Sequence, residues 1–331
     1  MTTIVPPAGI GMRPAQDGDQ QAIAEMLNAC EQAYFGAVET PLPGTLEWID
    51  YTWKTDGFDL AADSLVAVAP DEHIIGYVTV WRTEQELQRM IASPRIHPDY
   101  RARGLGSWML HWAEQRARQI SETLPQDRSA TLSSWVENID EAARELLDHE
   151  GFAPKNYLWN MQVEMEAAPP APVWHDGFHV RNFVPGQDER AIYEVLFEAF
   201  STDNYDPYDT FEEWVRFYNI ASEDFDPSLW FLAVGSDGEI AGIVLSEPGQ
   251  DGKRGWINEV AVRPQWRKHG LALALLHHAL GEYYQRGIHK CALAVDAANP
   301  TGATRLYERA GMQPDNRTKI FYRKELHLAV L

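Results

Sequence analysis

Hydrophobic and polar residues alternate with a period of two in two separate stretches of the chain. The stretches read SLVAVAPDEHIIGYVTVW and WFLAVGSDGEIAGIVLSE, and a turn containing aspartate interrupts each of them. Such alternation is typical of half-buried strands, so each stretch predicts a β-hairpin. A short strand with an arginine and an acidic helix start precede each hairpin, in GMRPA at Arg13 and in HVRNF at Arg181.

A helical period follows each hairpin. Apolar residues recur at helical spacing at Leu105, Trp108, Met109 and Trp112, and again at Leu273, Leu276, Leu280 and Tyr284. This spacing predicts two amphipathic helices. Each is followed by another strand, SATLSSWVE or KCALAVDA, and by a short helix that ends in glycine. The same order of elements therefore occurs twice.

The two copies are in register over the segment that opens each helix. RARGLG, residues 101–106, matches RKHGLA, residues 267–272, at an offset of 166 positions. Between the copies, residues 166–177 read EAAPPAPVWHDG, which fits neither period and predicts a linker. A chain of 331 residues also exceeds the usual size of one hydrophobic core. We therefore expect two tandem α+β domains, at residues 1–165 and 178–331.

The charge of the chain narrows the classes of partner. Its formal net charge of -21 would be repelled by nucleic acid and by anionic membranes, so neither is expected as a partner. The two cysteines, Cys30 and Cys291, lie in apolar segments, as reduced core residues do. Because the N-terminus lacks the pattern of a signal peptide, a cytoplasmic protein is expected. The histidines at 277, 278 and 289 lack metal-ligand spacing, so no metal is expected.

The segment RKHGLA places three basic residues before a glycine at the start of an apolar helix. The first amides of a helix have no partner within it and lie at the positive end of its dipole, a geometry that suits diphosphate. Gly104 and Gly270 would let the backbone approach the phosphates, and Gly106 and Ala272 would keep the first turn small. A simple strand-to-helix turn is the alternative. The fingerprints of dinucleotide-binding and P-loop proteins are absent.

The order strand, R-x-x-G-x-G/A, helix, strand, N-x3-A-x3-Y-x3-G resembles the acetyl-CoA-binding core of the GNAT superfamily of N-acetyltransferases. The C-terminal half carries it as INEVAVRPQWRKHGLALALL and VDAANPTGATRLYERAGM, and the N-terminal half matches more loosely. Two such domains in one chain are similar to the tandem acetyltransferases of the mycothiol synthase type. The resemblance implies, in each half, a mixed and mostly antiparallel twisted sheet flanked by helices.

The resemblance also implies a site for acetyl-CoA in the C-terminal half. The residues expected to bind it are Val260, Ala261, Val262, Arg267, Lys268, His269, Gly270, Leu271, Ala272 and Asn299. The pantetheine arm pairs with the strand that precedes the loop, which requires free main-chain donors and acceptors. In the N-terminal half, Arg101, Gly104 and Gly106 would form a vestigial site.

Two residues are candidates for the chemistry of acyl transfer. An alkylammonium must lose a proton before it attacks the thioester, and Glu259 is the candidate base. Tyr307 shares a helical face with Asn299 and Ala303, and the matching family tyrosine protonates the departing sulfur. The structural alternatives are a surface glutamate and a tyrosine that only packs its helix against the sheet.

The N-terminal half departs from this pattern at three positions. Ser93 stands where the C-terminal half has Glu259, and Pro94, which has no N–H, stands at the position of Val260. The counterpart of Tyr307 is Leu146 or Leu147. We therefore expect a degenerate N-terminal domain and a catalytic C-terminal domain.

The acceptor is expected to be a small, cationic primary amine. Residues 201–228 combine a net charge of -7 with several aromatic residues, most of which we assign to a core. An amino sugar, an aminoglycoside, a polyamine and a cysteinyl glucosaminyl inositol all remain candidates, and the oligomeric state stays open. A non-catalytic acyl-CoA sensor and a scaffold whose glycine loops are only turns are the alternative functions.

Overall fold

A computed structural model describes residues 6–36, 42–55, 57–82, 89–123, 130–200, 210–220, 225–248, 253–297 and 302–326. Within these residues the chain forms two compact units. Unit 1 comprises residues 1–157 together with 318–331, and unit 2 comprises residues 158–317. Each unit is an α+β fold with a mixed, mostly antiparallel sheet, as the sequence predicts.

Unit 1 begins with a strand and a long helix. Its elements up to residue 149 are β1 (Gly11–Arg13), α1 (Gln20–Phe35), α2 (Leu42–Trp53), α3 (Leu60–Asp63), β2 (Ser64–Val68), β3 (Ile74–Thr79), β4 (Trp81–Arg82), β5 (Arg89–Ile91), β6 (Arg95–Ile96), α4 (Leu105–Glu122), β7 (Ala130–Glu137) and α5 (Glu141–His149). Strands β1, β2, β3 and β6 pair antiparallel in that order. Strand β5 pairs antiparallel with β4 and parallel with β7.

Strand β8 (Ala153–Glu164) leads from unit 1 into unit 2. The elements that follow are β9 (Phe178–Asn182), α6 (Glu189–Phe200), α7 (Phe211–Phe217), β10 (Phe231–Gly235), β11 (Ile240–Pro248), β12 (Arg254–Val262), α8 (Leu271–Gln285), β13 (Lys290–Asp296), α9 (Ala303–Arg309) and β14 (Gln313–Leu326). Strands β9 to β12 pair antiparallel in chain order, and β12 pairs parallel with β13. The hairpins β2–β3 and β10–β11 are those predicted from the alternation.

The two units begin with the same polar contact. Arg13 on β1 makes a bidentate ion pair with Asp19 before α1, with nitrogen to oxygen distances of 2.6 and 3.0 Å. Arg181 on β9 binds Asp188 before α6 in the same way, at 2.6 and 2.8 Å. In both units the carboxylate therefore joins the first strand to the start of the first helix.

Helices cover both faces of the sheet of unit 2. Leu275, Leu276 and Leu280 of α8 pack on one face, where Ile257 and Val295 are also buried. The other face packs against α6 and α7, and its buried residues are Ile192, Val195, Leu196, Trp214, Trp230, Ile243, Leu245 and Ala261. Strand β12 therefore has a core on each side and is held rigidly.

The last strand of each unit comes from the other half of the sequence. Strand β8 pairs antiparallel with β13 in unit 2 along residues 158–164, and β14 pairs antiparallel with β7 in unit 1 along residues 319–326. The compact units therefore differ from the expected boundaries of 1–165 and 178–331, which remain a prediction about the sequence repeat. The pattern of a strand does not specify which open sheet edge it joins. Residues 166–177, the predicted linker, form neither helix nor strand.

Candidate active site

Both glycine loops adopt the same backbone conformation. Gly104 and Gly270 precede α4 and α8 with φ of +78° and +79°, and Ala102 and Lys268 are also left-handed at +59° and +66°. No acceptor in the described part of the chain takes a hydrogen bond from the amides of residues 102–107 or 268–273. Each loop therefore presents a run of unused N–H groups at a helix N-terminus, as the sequence predicts, and such a run suits diphosphate.

The side chains of the loop in unit 2 divide into two groups. Arg267 donates from Nη2 to the carbonyl of Ala199 at 2.5 Å and from Nε to that of Val262 at 3.5 Å. These bonds engage its guanidinium in shaping the loop, so a phosphate contact by that side chain would require breaking them. Lys268 and His269 are exposed beside the unused amides, and His269 Nδ1 lies 2.9 Å from the carbonyl oxygen of Arg267.

Strands β12 and β13 separate beyond their first residues. Their parallel pairing covers Arg254 to Trp256 and ends there, while β12 continues to Val262 along β11. The N–H of Arg263 donates to Ala241 on β11, so the alternation of a strand directs the N–H groups of Val262 and Val260 to the opposite, separated edge. This edge can pair with an extended ligand.

Glu259 lies on the separated part of β12, directly after a bulge in the pairing with β11. Its side chain is 6% exposed. Burial raises the pKa of its carboxyl to about 8, and the nearby hydroxyl of Tyr218 offsets part of that rise. The structure thus makes Glu259 a buried carboxyl whose pKa is close to neutral, rather than a surface glutamate.

Tyr307 lies on α9 and is 8% exposed. Burial raises the pKa of its phenol, and the nearby charge of Glu259 raises it further. The two predicted catalytic side chains are therefore close enough to interact electrostatically, although 48 positions of sequence separate them. A phenol in this setting keeps its proton and can donate it.

The corresponding opening in unit 1 is bridged by side chains. Pairing of β5 with β7 ends at Ile91, followed by a hydrogen bond from the N–H of Ala92 to the carbonyl of Ser133 and then by contacts of Ser93 and Arg95. The N–H of Trp135 donates to Ser93 Oγ at 2.9 Å, and the guanidinium of Arg95 donates to the Trp135 carbonyl at 3.3 and 3.4 Å. These bonds hold the two strands together where unit 2 is open.

The register identifies the counterparts between the units. Arg95 faces Tyr77 on β3 as Ala261 faces Ile243 on β11, so Ser93 corresponds to Glu259 and Pro94 to Val260. The N–H of Phe152 donates to Leu147, as that of Met312 donates to Tyr307. Leu147, not Leu146, is therefore the counterpart of Tyr307.

The model of the acetyltransferase (GNAT) family matches residues 22–147 and 190–312, which covers both halves of the repeat. The chain belongs to the GNAT family. It is an N-acetyltransferase that uses acetyl-CoA, and the resemblance seen in the sequence is confirmed.

Individual relatives share the two-domain arrangement. A mycothiol acetyltransferase from Paenarthrobacter aurescens is 30% identical over 270 residues, 77% of this chain and 79% of the relative. Another from Thermobispora bispora is 31% identical over 65% of this chain and 70% of the relative. A solved GCN5-related N-acetyltransferase from Sphaerobacter thermophilus is 34% identical with a TM-score of 0.82, and covers 98% of each chain.

A more distant solved structure shows the fold alone. The tandem GNAT protein of the clavulanic acid biosynthesis pathway is 15% identical, with a TM-score of 0.70 over 97% of this chain and 99% of the other. Tandem GNAT domains thus occur in a single chain elsewhere.

The GNAT loop of unit 1 keeps a cavity of ≈230 Å³, lined among others by Arg101, Gly104 and Gly106. The guanidinium of Arg101 lies over the ring of Tyr34, with its Cζ 4.4 Å from the ring centroid. A Cβ at Gly106 would lie 3.4 Å from Leu146. The backbone of a cofactor loop therefore persists in unit 1 beside a bridged strand opening.

Other predicted features of this GNAT protein are only partly described. Asn299 lies outside the described residues, as do residues 201–209 and 221–224 of the acidic segment. Of its aromatic residues, Trp214 is fully buried, as the core interpretation predicts, whereas Phe217 is 50% exposed. The described residues contain no group of histidine, cysteine or acidic side chains arranged to hold a metal, and none of their helices has the length and apolarity of a membrane span.

Sequence reasoning missed two features of the GNAT site. The bridge formed by Ser93 and Arg95 was visible only as two residues at the positions of Glu259 and Ala261, because its partner Trp135 lies on another strand. The contact of Tyr218 with Glu259 was also missed. Tyr218 belongs to the aromatic acidic segment, which was the available signal.

Proposed function

We propose that unit 2 carries the acetyl transfer, directly from acetyl-CoA to the primary amine of a small, cationic acceptor. The observation that carries this proposal is the pairing of buried Glu259 with buried Tyr307 at a separated strand edge. A pure sensor would not need a carboxyl with a near-neutral pKa beside a protonated phenol. A scaffold would need neither of them.

Acetyl-CoA fits the residues present around the opening of unit 2. The unused amides from Lys268 to Ala272 would hold its diphosphate, and the exposed charge of Lys268 adds to their attraction. The N–H groups of Val260 and Val262 would pair with the pantetheine arm. When bound, acetyl-CoA supplies an acetyl group activated as a thioester.

Each catalytic side chain then moves one proton. Glu259 takes a proton from the acceptor ammonium, directly or through a water molecule, so that the nitrogen lone pair attacks the acetyl carbon. As the carbon–sulfur bond breaks, Tyr307 donates its proton to the sulfur. As the amide forms, the second proton of the attacking nitrogen restores the phenol of Tyr307, directly or through a water molecule. The products are an amide and a free thiol, and the proton held by Glu259 is later returned to solvent.

The relatives suggest which amine to test first. They are named mycothiol acetyltransferases, so the amine that gives mycothiol on acetylation is the first candidate acceptor for this chain. The acidic composition of residues 201–228 would concentrate a cationic amine near the site. Amino sugars, aminoglycosides and polyamines have the same charge and belong in the same test.

The experiment is a screen of acetyl-CoA with a panel of these amines, followed by the release of free thiol. We expect one class of amine to support turnover well above the rate of acetyl-CoA hydrolysis. If calorimetry shows that acetyl-CoA binds but no amine supports turnover, the result would favour a non-catalytic acyl-CoA sensor over the enzyme.

A matched pair of variants assigns the reaction to one unit. Gly270→Trp and Gly104→Trp add the same side chain at the same φ, and an added Cβ meets no atom within 4 Å at either position. We expect Gly270→Trp to abolish transfer and the one bound equivalent of acetyl-CoA, and Gly104→Trp to retain both. The opposite result, or two equal binding sites in the unaltered protein, would contradict the assignment to unit 2.

A further inference from the structure

Unit 1 contains a second cavity, separate from that at its glycine loop. Its volume is ≈390 Å³, within the usual range for sites of small molecules. Aromatic side chains form much of its wall, and they are Tyr34, Phe35, Trp48, Trp81 and Trp135. The cavity lies on the side of the sheet covered by α1 and α2, and the proposed acetyl transfer does not use it.

Two cationic side chains lie beside the same aromatic ring in the wall of this cavity. The Cζ of Arg95 lies 3.8 Å from the centroid of the Trp135 ring, and the Nζ of Lys319 lies 4.9 Å from the same centroid. Both side chains line the cavity. Within the described residues, neither cationic head has a carboxylate at ion-pair distance. The guanidinium of Arg95 also donates hydrogen bonds to the carbonyl groups of Pro94 and Trp135.

Two carboxylates also belong to the wall of this cavity. Glu31 and Glu137 also line the cavity, and each has interactions of its own. The charges of Glu137 and Asp140 act on Arg95 without forming an ion pair with it, and burial still lowers the pKa of its guanidinium. Lys319 is exposed, so only Arg95 carries a cost of burial, and the two like charges beside one ring also repel each other. An anion bound next to both cations would offset that cost and that repulsion.

We propose that this cavity binds a small aromatic carboxylate, with its carboxylate between Arg95 and Lys319 and its ring against the tryptophans. The carboxylate accepts charge-assisted hydrogen bonds from both cations, and an arginine can donate two of them in parallel. The flat apolar body stacks on indole faces, where aromatic pairs gain additional stability. The site is non-catalytic, because Ser93 and Leu147 replace the base and the acid of unit 2.

The side chain of Arg95 also separates this cavity from the one at the glycine loop, since it lines both. In unit 2 the matching residue is Ala261, whose methyl group is too short to form such a bridge. The arginine that bridges the strands of unit 1 is thus the same group that would recognise the carboxylate.

The probe is indole-3-carboxylate, compared with its neutral amide and with tryptamine, on the full-length protein by calorimetry and ligand-observed NMR. We expect the carboxylate to bind in one equivalent per chain and the other two compounds to bind at least about tenfold more weakly, as loss of a charged hydrogen bond implies. Equal binding of carboxylate and amide, or no binding at millimolar probe, would overturn the proposal.

Variants then locate the site. Arg95→Gln and Lys319→Gln should each weaken binding of the carboxylate by about tenfold, while Lys54→Gln, an exposed lysine of unit 1, should not change it. Trp48→Ala is a further test, because its 45% exposure makes it compatible with folding. Retention of full affinity by both Arg95→Gln and Trp48→Ala would place the probe elsewhere and overturn the proposal.

Discussion

The strand openings of the two units have the same backbone and opposite contents. In unit 1, Ser93 and Arg95 bridge the opening to Trp135. In unit 2 the same two strand positions hold Glu259 and Ala261, a carboxyl and a methyl group, and the opening stays free. The glycine loops beside the openings differ by only a few degrees in φ. The two openings therefore differ in a few side chains and not in the backbone that carries them.

Glu259 and Tyr307 are unusual because they place polar groups at buried positions. The buried position of Leu147 in unit 1 is occupied by the phenol of Tyr307 in unit 2. The position of Ser93 in unit 1 is occupied in unit 2 by Glu259, a carboxyl whose pKa is raised by burial. Burying these polar groups costs stability, which a purely structural unit avoids. The cost is a physical reason to assign them a role in chemistry.

The largest expected effect concerns the exchanged strands, which make the two units depend on each other. Without β14, unit 1 would lose the buried side chains Ile320, Tyr322 and Leu326, each stabilising by about 1.5–3 kcal/mol. Their sum is comparable with the stability of a whole domain. We expect fragments 1–165 and 166–331 to be unfolded when expressed separately and folded when expressed together, as measured by circular dichroism and thermal unfolding. A cooperative transition in either fragment alone would show that the units are independent.

The next effect tests the difference between Glu259 and Ser93. Glu259→Gln keeps the shape of the side chain and removes the base, so we expect kcat/KM to fall by about 10²–10⁴-fold. Ser93→Ala at the matching position should leave transfer unchanged. Both are measured by initial rates of thiol release with the best amine of the panel. Wild-type rates in Glu259→Gln would show that this residue is not the base. The difference between Glu259 and Ser93 would then not explain which unit is catalytic.

A smaller effect is expected at the other pair of counterparts. Tyr307→Phe removes only the hydroxyl, and we expect kcat to fall by about 10²-fold, the lower end for proton transfer, because a thiolate leaves more readily than a strongly basic group. The KM for acetyl-CoA should change little. Leu147→Met, a volume-conserving change in unit 1, is the control and should leave kcat unaltered. Unchanged turnover in Tyr307→Phe would favour the packing role for this tyrosine.

The sequence predicted the repeated fold and the candidate pair, because both depend on local pattern. Alternation located the hairpins, and the helical period located α4 and α8 to within their first residues. Glu259 and Tyr307 were found because they stand at fixed offsets from a glycine loop. Their electrostatic interaction and their burial depend on the tertiary packing of α9 and β12, which no local pattern encodes.

The exchanged strands and the bridge of unit 1 lay beyond sequence reasoning for a related reason. Strand β14 has the pattern of any strand, and its choice of β7 as a partner is a property of the whole fold. Arg95 was visible as a residue, yet its bond to Trp135 joins strands 40 positions apart in the chain. Long-range contacts of this kind have to be observed in the structure.

The smallest expected effect is a shift in pH dependence, caused by Tyr218. Since Glu259 must be deprotonated to accept a proton and its pKa is raised to about 8, kcat/KM should be low at acidic pH and rise through about pH 8 to a plateau. The nearby hydroxyl of Tyr218 favours the carboxylate and lowers that pKa. Tyr218→Phe should therefore move the rise to higher pH, so that activity falls at pH 7 and approaches that of the unaltered protein on the alkaline plateau.

A matched control separates this effect from damage to the aromatic core. Tyr193→Phe removes a hydroxyl from the same cluster, in which its ring lies 6.4 Å from that of Trp214. This control should keep the pH profile of the unaltered protein, whereas general damage would lower the plateau in both variants. If the rise stays in place in Tyr218→Phe, or moves to lower pH, Tyr218 does not act on the carboxyl of Glu259. Unit 2 would then owe its reactivity to burial alone, and the contrast with unit 1 would reduce to its strand opening.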